Sequence, residues 1–456
     1  MDVLSHSMLG ALLARPWIDR VGLIGLRRWY FPLSRLWAAA NVSSGDVARF
    51  CEEADAGWSP ALPDRLVAPL LGRHLRLQAA AQTARSAWED ALFGDPEPSG
   101  QRLRRLDEQR RVAATRHLAS RLSFYPLLFP RRPPPARWQI DQPAEVTADL
   151  ARALAEPNVL YDVPIDPGTV AVSRSTPKGD VREYWLRAAT PFPRLRRRRG
   201  SEVLYARLVE PADGNAEATI IFGGGLCQEV ELVNVTGDAA ARLAATGWRV
   251  IEPVSPYHGL RAMPGRYGGE PFFAAGPSSA LDLIAGQAVE AALLIAWCRG
   301  RFSGKVALVG ISMTSFAAQQ VASRCHLWPS QARPDGVMLI SHSGRLDQAT
   351  LTGRLALDLG LDRALAQAGW SGQRLADLCR LVDPLDEPAL EPSRIVSVLG
   401  EADEWVPYRD GLAIAHRWGL PPANMFSYRV GHLGMPFQLG RDGSSIERLR
   451  QVLRGM

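Results

Sequence analysis

Ser312 stands in the run Val306-Ala-Leu-Val-Gly310-Ile311-Ser312-Met313-Thr314-Ser-Phe-Ala-Ala-Gln-Gln, where an apolar stretch meets a Gly-x-Ser turn and then a helical pattern. A serine hydroxyl is a weak nucleophile alone, but held at a tight strand-to-helix turn beside a base it can attack a carbonyl carbon. Such a turn needs small neighbours. The second glycine of the G-x-S-x-G spacing is Thr314 here, and a β-branched side chain crowds that position.

An acid and a base follow. The segment Ile395-Val-Ser-Val-Leu-Gly400-Glu401-Ala402-Asp403-Glu404-Trp405-Val406-Pro407 reads as an apolar strand running into an acidic turn. A carboxylate there can accept the Nδ1 proton of an imidazole, fix its tautomer and stabilise the imidazolium. Asp403, in a G-x-x-D-x-x-V-P arrangement, is the first candidate, Glu401 the second and Glu404 the third; taken alone, such a turn equally reads as a helix cap. His432 lies in Phe426-Ser-Tyr-Arg-Val-Gly431-His432-Leu433-Gly434, directly after a strand pattern, with glycines that let the loop fold back over a sheet edge. Of eight histidines, it is this one whose position suits a base. The order serine, acid, histidine, with strands and helices between, is that of one known triad arrangement.

A fourth segment could hold a developing oxyanion. Thr219-Ile-Ile-Phe222 runs into Gly223-Gly224-Gly225-Leu226-Cys227, where missing side chains let backbone N–H groups approach a substrate. The N–H of Met313 would supply one donor and that of Gly225 or Leu226 the other. A phosphate cradle is the competing reading, but the GxGxxG spacing and a Walker lysine are missing.

The elements that must position these residues are legible from periodicity. Residues 1–150 carry apolar spacings of three and four and no strand pattern, which predicts a helical N-terminal region; 101–122 reads as a solvated amphipathic helix and 130–135, proline-rich, as a linker. In 151–456 strands and helices alternate. Strands are expected at 181–187, 203–209, 219–222, 248–254, 306–309, 337–341 and 395–399, and helices at 230–246, 281–299, 315–325 and 408–418. That alternation implies an α/β fold, a mostly parallel sheet covered by helices on both faces. The stretch 344–392 interrupts it with helix-like sequence and is a candidate lid.

Composition bounds the rest. A hydrophobic fraction of 46% and a charged fraction of 22% are those of a globular chain. The net charge is +6, and of 53 basic residues only Lys178 and Lys305 are lysine, a bias that reflects a GC-rich bacterial genome. No nucleic-acid-binding motif accompanies the arginines. The five cysteines are scattered without a CxxC pair or ligand spacing, and no stretch reads as a membrane span or signal peptide, so the default expectation is a reducing, cytoplasmic setting. No metal or organic cofactor is implied. The run Arg194-Leu195-Arg196-Arg197-Arg198-Arg199 reads first as a solvated hairpin loop; its functional alternative, with the Trp- and Arg-rich 17–37, is peripheral contact with an anionic membrane. The sequence carries no signal of oligomeric state.

Over residues 203–454 these segments resemble the α/β-hydrolase superfamily. Ser255-Pro256-Tyr257-His258-Gly259-Leu260-Arg261, with Gly310-Ile311-Ser312-Met313, the late acidic turn and Gly431-His432, is similar to the branch called abhydrolase domain-containing protein eighteen. The resemblance implies Ser312, Asp403 and His432 as a catalytic triad and a serine hydrolase; a carboxylic ester is the first expected substrate, and the basic run 194–199 with the amphipathic front region motivates an acyl-lipid ester as the more specific version. Acyltransferases and thioesterases share that triad. A binding module with little turnover is the alternative from another class, motivated by Thr314. His258 and His342 are expected to be structural, and residues 1–150 find no counterpart in the resemblance.

Overall fold

The computed structural model describes residues 7–13, 15–227 and 238–455. Ten strands form one sheet: β1 (Ala171–Val172), β2 (Thr176–Lys178), β3 (Val181–Ala189), β4 (Val203–Pro211), β5 (Ala218–Gly223), β6 (Trp248–Pro253), β7 (Lys305–Ile311), β8 (Gly336–Ile340), β9 (Ile395–Gly400) and β10 (Met425–Tyr428). Their order is β1-β3-β4-β6-β5-β7-β8-β9-β10, with β2 on β3. From β6 to β10 all neighbours are parallel, while β1 to β4 join antiparallel at one edge. Every expected strand is present, with ends shifted by one or two residues; β1 and β2 are additional.

The apolar runs become central strands because both faces of the sheet are covered. Every residue of β8 and β9 is buried, and successive residues feed two separate cores: Ile221, Leu308 and Leu339 join one, Ile220, Val309 and Met338 the other. The first core is built on the helix Ser278–Arg301, buried from Ser278 to Cys298. Among the described residues it is the one helix long and apolar enough to cross a bilayer, and its apolar window lies wholly inside the fold.

One feature of the strand order positions the site. The chain moves outward from β5 to β6, then returns past β5 to β7, so the C-terminal ends of β5 and β7 lie side by side with Gly223 in register with Gly310. The glycine-rich segment and the serine turn therefore emerge together at a topological switch point, where α/β sheets open a crevice.

Where described, residues 8–155 are helices joined by loops and contain no strand, as expected, and they pack against the rest of the chain rather than hanging from it. Trp88, Leu92 and Leu103 pack on Trp185 and Val254, and Arg35 donates to both carboxylate oxygens of Glu270 at 2.8 Å, both side chains fully buried. The expected solvated helix is Gly100–Ala119, but its Asp107 and Arg110 are buried. Asp107 pairs with Arg110, Arg111 and Lys178, and Arg111 reaches Glu183 on β3. Burial alone would raise the Glu183 carboxyl, yet Arg207, Lys178 and Arg111 together hold it well below the carboxylate range. The proline-rich stretch is pinned at both ends: Trp58 Nε1 donates to Arg131 O at 3.0 Å and the Tyr267 hydroxyl to Pro135 O at 2.7 Å.

Of the helix expected at 230–246, the described part is Ala239–Ala244; residues 228–237 lie outside the described residues. The stretch 344–392 folds into four short helices, Leu346–Leu351, Arg354–Leu359, Leu361–Gln367 and Gly372–Cys379. Arg194–Arg199 joins β3 to β4 as a hairpin loop, and its charge is partly spent internally, since Arg194 and Arg198 both pair with the buried Asp282.

Candidate active site

Ser312 closes β7 and precedes the helix Met313–Arg324, with φ 55° and ψ −117°, a conformation that non-glycine residues rarely adopt and that costs roughly 1–3 kcal/mol. The turn is fixed from both sides: Ser312 N–H donates to Ile340 O on β8 at 2.9 Å, and Ser315 N–H donates to Ser312 O at 3.0 Å. Gly310 is required, because a Cβ there would lie 2.6 Å from Thr314 O and 2.9 Å from Ser315 Cα. Thr314, the departure from the motif, is buried and tied in. Its hydroxyl donates to Gly223 O at 2.7 Å and accepts from Ile311 N–H at 3.0 Å. The space for its bulk comes from across the switch point: a Cβ on Gly223 would sit 2.7 Å from Thr314 Cβ. Thr314 thus locks the serine turn to the end of β5 without moving Ser312 away from His432.

The structure brings Ser312, His432 and Asp403 into one hydrogen-bonded line. Ser312 Oγ lies 2.9 Å from His432 Nε2, and His432 Nδ1 lies 2.7 Å from Asp403 Oδ2. A carboxylate only accepts, so Nδ1 carries the proton and Nε2 faces the serine as the acceptor. The other Asp403 oxygen accepts from Trp405 N–H at 2.9 Å and Val406 N–H at 3.0 Å, which orients the carboxylate. The other two acids of the turn point elsewhere: Glu401 lies 3.8 Å from Arg429 and Glu404 3.8 Å from Arg20, with side chains 43% and 57% exposed. The Trp405 ring stacks on the imidazole at 5.1 Å and 19°. Burial disfavours the charged imidazole, but the Asp403 carboxylate more than offsets it, and the His432 pKa is raised above its ordinary 6.5.

Gly225 faces the serine, a Cβ on it falling 3.8 Å from Ser312 Cβ. The Met313 N–H, first in its helix, has no acceptor within that helix. His258 steadies the far end of the glycine loop: its Nε2 accepts from Cys227 N–H at 3.1 Å, so its Nδ1–H donates to Pro256 O at 2.9 Å. Burial pushes its pKa down to about 4, keeping it neutral as this bond requires. The side chain of Leu226 lies close to Gly269, where a Cβ would meet Leu226 Cδ1 at 2.7 Å. His342 is buried between Gln319 and Ser397, away from the line.

One contributor escaped the sequence reading. Asp19, on the N-terminal helix Ile18–Gly25 and only 5% exposed, reaches the histidine loop across 413 residues of chain. Its Oδ2 accepts from the N–H of His432, and its Oδ1 from the N–H of Leu433 at 2.9 Å. Gly431 makes room for it, because a Cβ there would overlap the Asp19 carboxylate. Burial raises the Asp19 pKa, opposed by these two N–H groups and by the charge of His432.

A serine in a strained turn after the central strand β7, an acid after β9 and a histidine after β10 complete a distinctive chain plan. The fold is that of the α/β-hydrolases. Solved structures similar to this chain include an acetyl xylan esterase from a Paenibacillus species, with 12% identity over 68% of this chain and 95% of that one, at a TM-score of 0.45. Acetyl xylan esterase 1 from a Thermoanaerobacterium species has 14% identity over 67% and 96%, at 0.42. Brefeldin A esterase, described as a bacterial homologue of human hormone sensitive lipase, has 16% identity over 69% and 85%, at 0.37. No family model matches the chain, and no curated protein matches it significantly.

Proposed function

We propose that this protein is a serine hydrolase that cleaves a carboxylic ester through an acyl-enzyme. Ser312 Oγ attacks the carbonyl carbon while His432 Nε2 takes its proton, and Asp403 stabilises the imidazolium that results. The N–H of Met313 and that of Gly225 or Leu226 hold the oxyanion. Collapse of the tetrahedral intermediate breaks the ester C–O bond, and His432 returns the proton to the leaving alkoxide. Water then attacks the acyl-serine with His432 as base, releasing the carboxylic acid and restoring Ser312. The sequence of steps consumes one water per ester and needs no metal or organic cofactor.

The observation that carries this reading is the continuous line from Ser312 Oγ through His432 to Asp403, at 2.9 and 2.7 Å, on a strained turn. Strain at one residue persists only where the surroundings enforce it. An acyl-lipid ester is the narrower version, since an apolar, basic helix face lies beside the site. An acyltransferase or thioesterase would use the same residues with a different acceptor or leaving group. A panel of esters of increasing acyl length tests the proposal: turnover by the wild type and none by Ser312→Ala supports it. Equal rates in both proteins would leave Ser312 without a catalytic role, and a rate that depends on an added alcohol rather than water would identify an acyltransferase.

A further inference from the structure

We infer that the outward face of the helical rod that begins at Ile18–Gly25 is a docking surface for an anionic lipid bilayer. This helix runs directly through Leu26–Tyr30 into Phe31–Ala40. Its two sides are built for different surroundings. Asp19 and Leu23 are buried against the histidine loop, where Asp19 holds the backbone of His432 and Leu433 and Gly22 abuts the Leu433 side chain. Trp17, Arg20, Val21, Ile24, Arg27 and Arg28 recur at spacings of three and four and are all exposed, which places them on one opposite stripe.

Composition of that stripe selects the partner. Trp17, Val21 and Ile24 are 47%, 54% and 52% exposed, and with Leu12 and Trp29 they make five of the twelve large apolar side chains that stand exposed among the described residues. A concentration of that kind on a soluble surface marks an interaction site. The stripe carries three arginines and no acid. Among the described residues Arg20 has one acidic neighbour, Glu404 at 3.8 Å, and no hydrogen bond or ion pair engages Arg27 or Arg28. Tryptophan and branched aliphatics interleaved with arginine, lying parallel to a surface, match the acyl-headgroup boundary of a membrane with negative headgroups, where arginines snorkel to phosphate. The arginine run 194–199, by contrast, is partly neutralised by Asp282. Because the inner side of the same helix holds the His432 loop, docking there sets the membrane beside the site.

The test uses full-length Ser312→Ala protein, so binding is read without turnover and its outcome is independent of the ester-hydrolysis reading. Protein is floated with vesicles of phosphatidylcholine alone or with phosphatidylglycerol added, at low and high salt. The docking surface predicts retention on the anionic vesicles that weakens as salt screens the charges. Changing Arg20, Arg27 and Arg28 to Gln lowers the partition coefficient by about fivefold per arginine. Trp17→Ser with Ile24→Ser lowers it by at least about tenfold. Absence of retention on anionic vesicles overturns the inference, as does retention unchanged in both variants. A dimer in light scattering that Trp17→Ser dissolves, without vesicle binding, would also overturn it and assign the face to a second copy of the chain.

Discussion

Replacing Asp19 removes the hydrogen bonds that the helix Ile18–Gly25 accepts from the backbone N–H groups of His432 and Leu433. A hydrogen bond to a charged acceptor contributes roughly 1.5–3 kcal/mol. In Asp19→Ala both donors lose their partner, but His432 and Leu433 are half-buried, so water recovers part of the loss. A net cost equal to one such bond, charged to the ordering of the loop, lowers kcat by about 10- to 100-fold at roughly 1.4 kcal/mol per decade. KM should stay within about threefold, since Asp19 acts through His432 and removing such a positioning group affects the reacting geometry rather than ground-state binding. The pH profile separates positioning from a merely structural role. The Asp19 charge favours protonated His432; removing it lowers the imidazole pKa, so the acid limb of kcat/KM moves to lower pH in both Asp19→Ala and Asp19→Asn. The assay is steady-state hydrolysis of a soluble short-chain ester across pH, with thermal melting to verify that each variant is folded. A folded Asp19→Ala with wild-type kcat and an unmoved acid limb would refute the reasoning.

The remaining expectations concern the same few contacts. Gly431→Ala puts a methyl where the Asp19 carboxylate lies, so it should reproduce the Asp19→Ala defect. In the double variant the two losses should fail to add, which kcat/KM of all four proteins will reveal. Thr314→Val keeps the shape but leaves Ile311 N–H and Gly223 O without the hydroxyl; melting should report a loss of about 2–4 kcal/mol, largely restored in Thr314→Ser. With His432 raised above 6.5, activity should fall on the acid side at a midpoint above that of a free imidazole, because only the neutral ring can take the serine proton. Asp403→Asn removes the charge and the Nδ1 acceptor, so kcat should drop by about 10³- to 10⁴-fold and any residual acid limb should move down.

The sheet was legible because parallel strands buried on both faces are continuous apolar runs, as in Val306–Val309 or Ile395–Leu399, each bounded by turn residues. β1 and β2 were not, being two and three residues long with a proline in β2, too short for any period to register. Ser312, Asp403 and His432 could be picked out from three strand ends in the right order, and choosing Asp403 over Glu401 rested on spacing alone; the backbone N–H groups of Trp405 and Val406 explain the choice. The crowding expected from Thr314 did not follow, because the compensating absence of a side chain is at Gly223, on another strand. Asp19 was invisible for the same reason, its partners lying at the opposite end of the chain. The helix Gly100–Ala119 read as solvated since arginine-rich periodicity does not reveal that Asp107 meets Lys178, Arg111 meets Glu183 and Arg110 lies over the ring of Trp88.

The most direct measurement of the central claim is labelling of the intact protein with a fluorophosphonate, located by peptide mass mapping. An activated Ser312 should become modified in the wild type, lose modification in Ser312→Ala, and react far more slowly in His432→Ala. Failure of Ser312 to label under conditions that fully label a known serine hydrolase, or equal labelling in the His432→Ala protein, would contradict it.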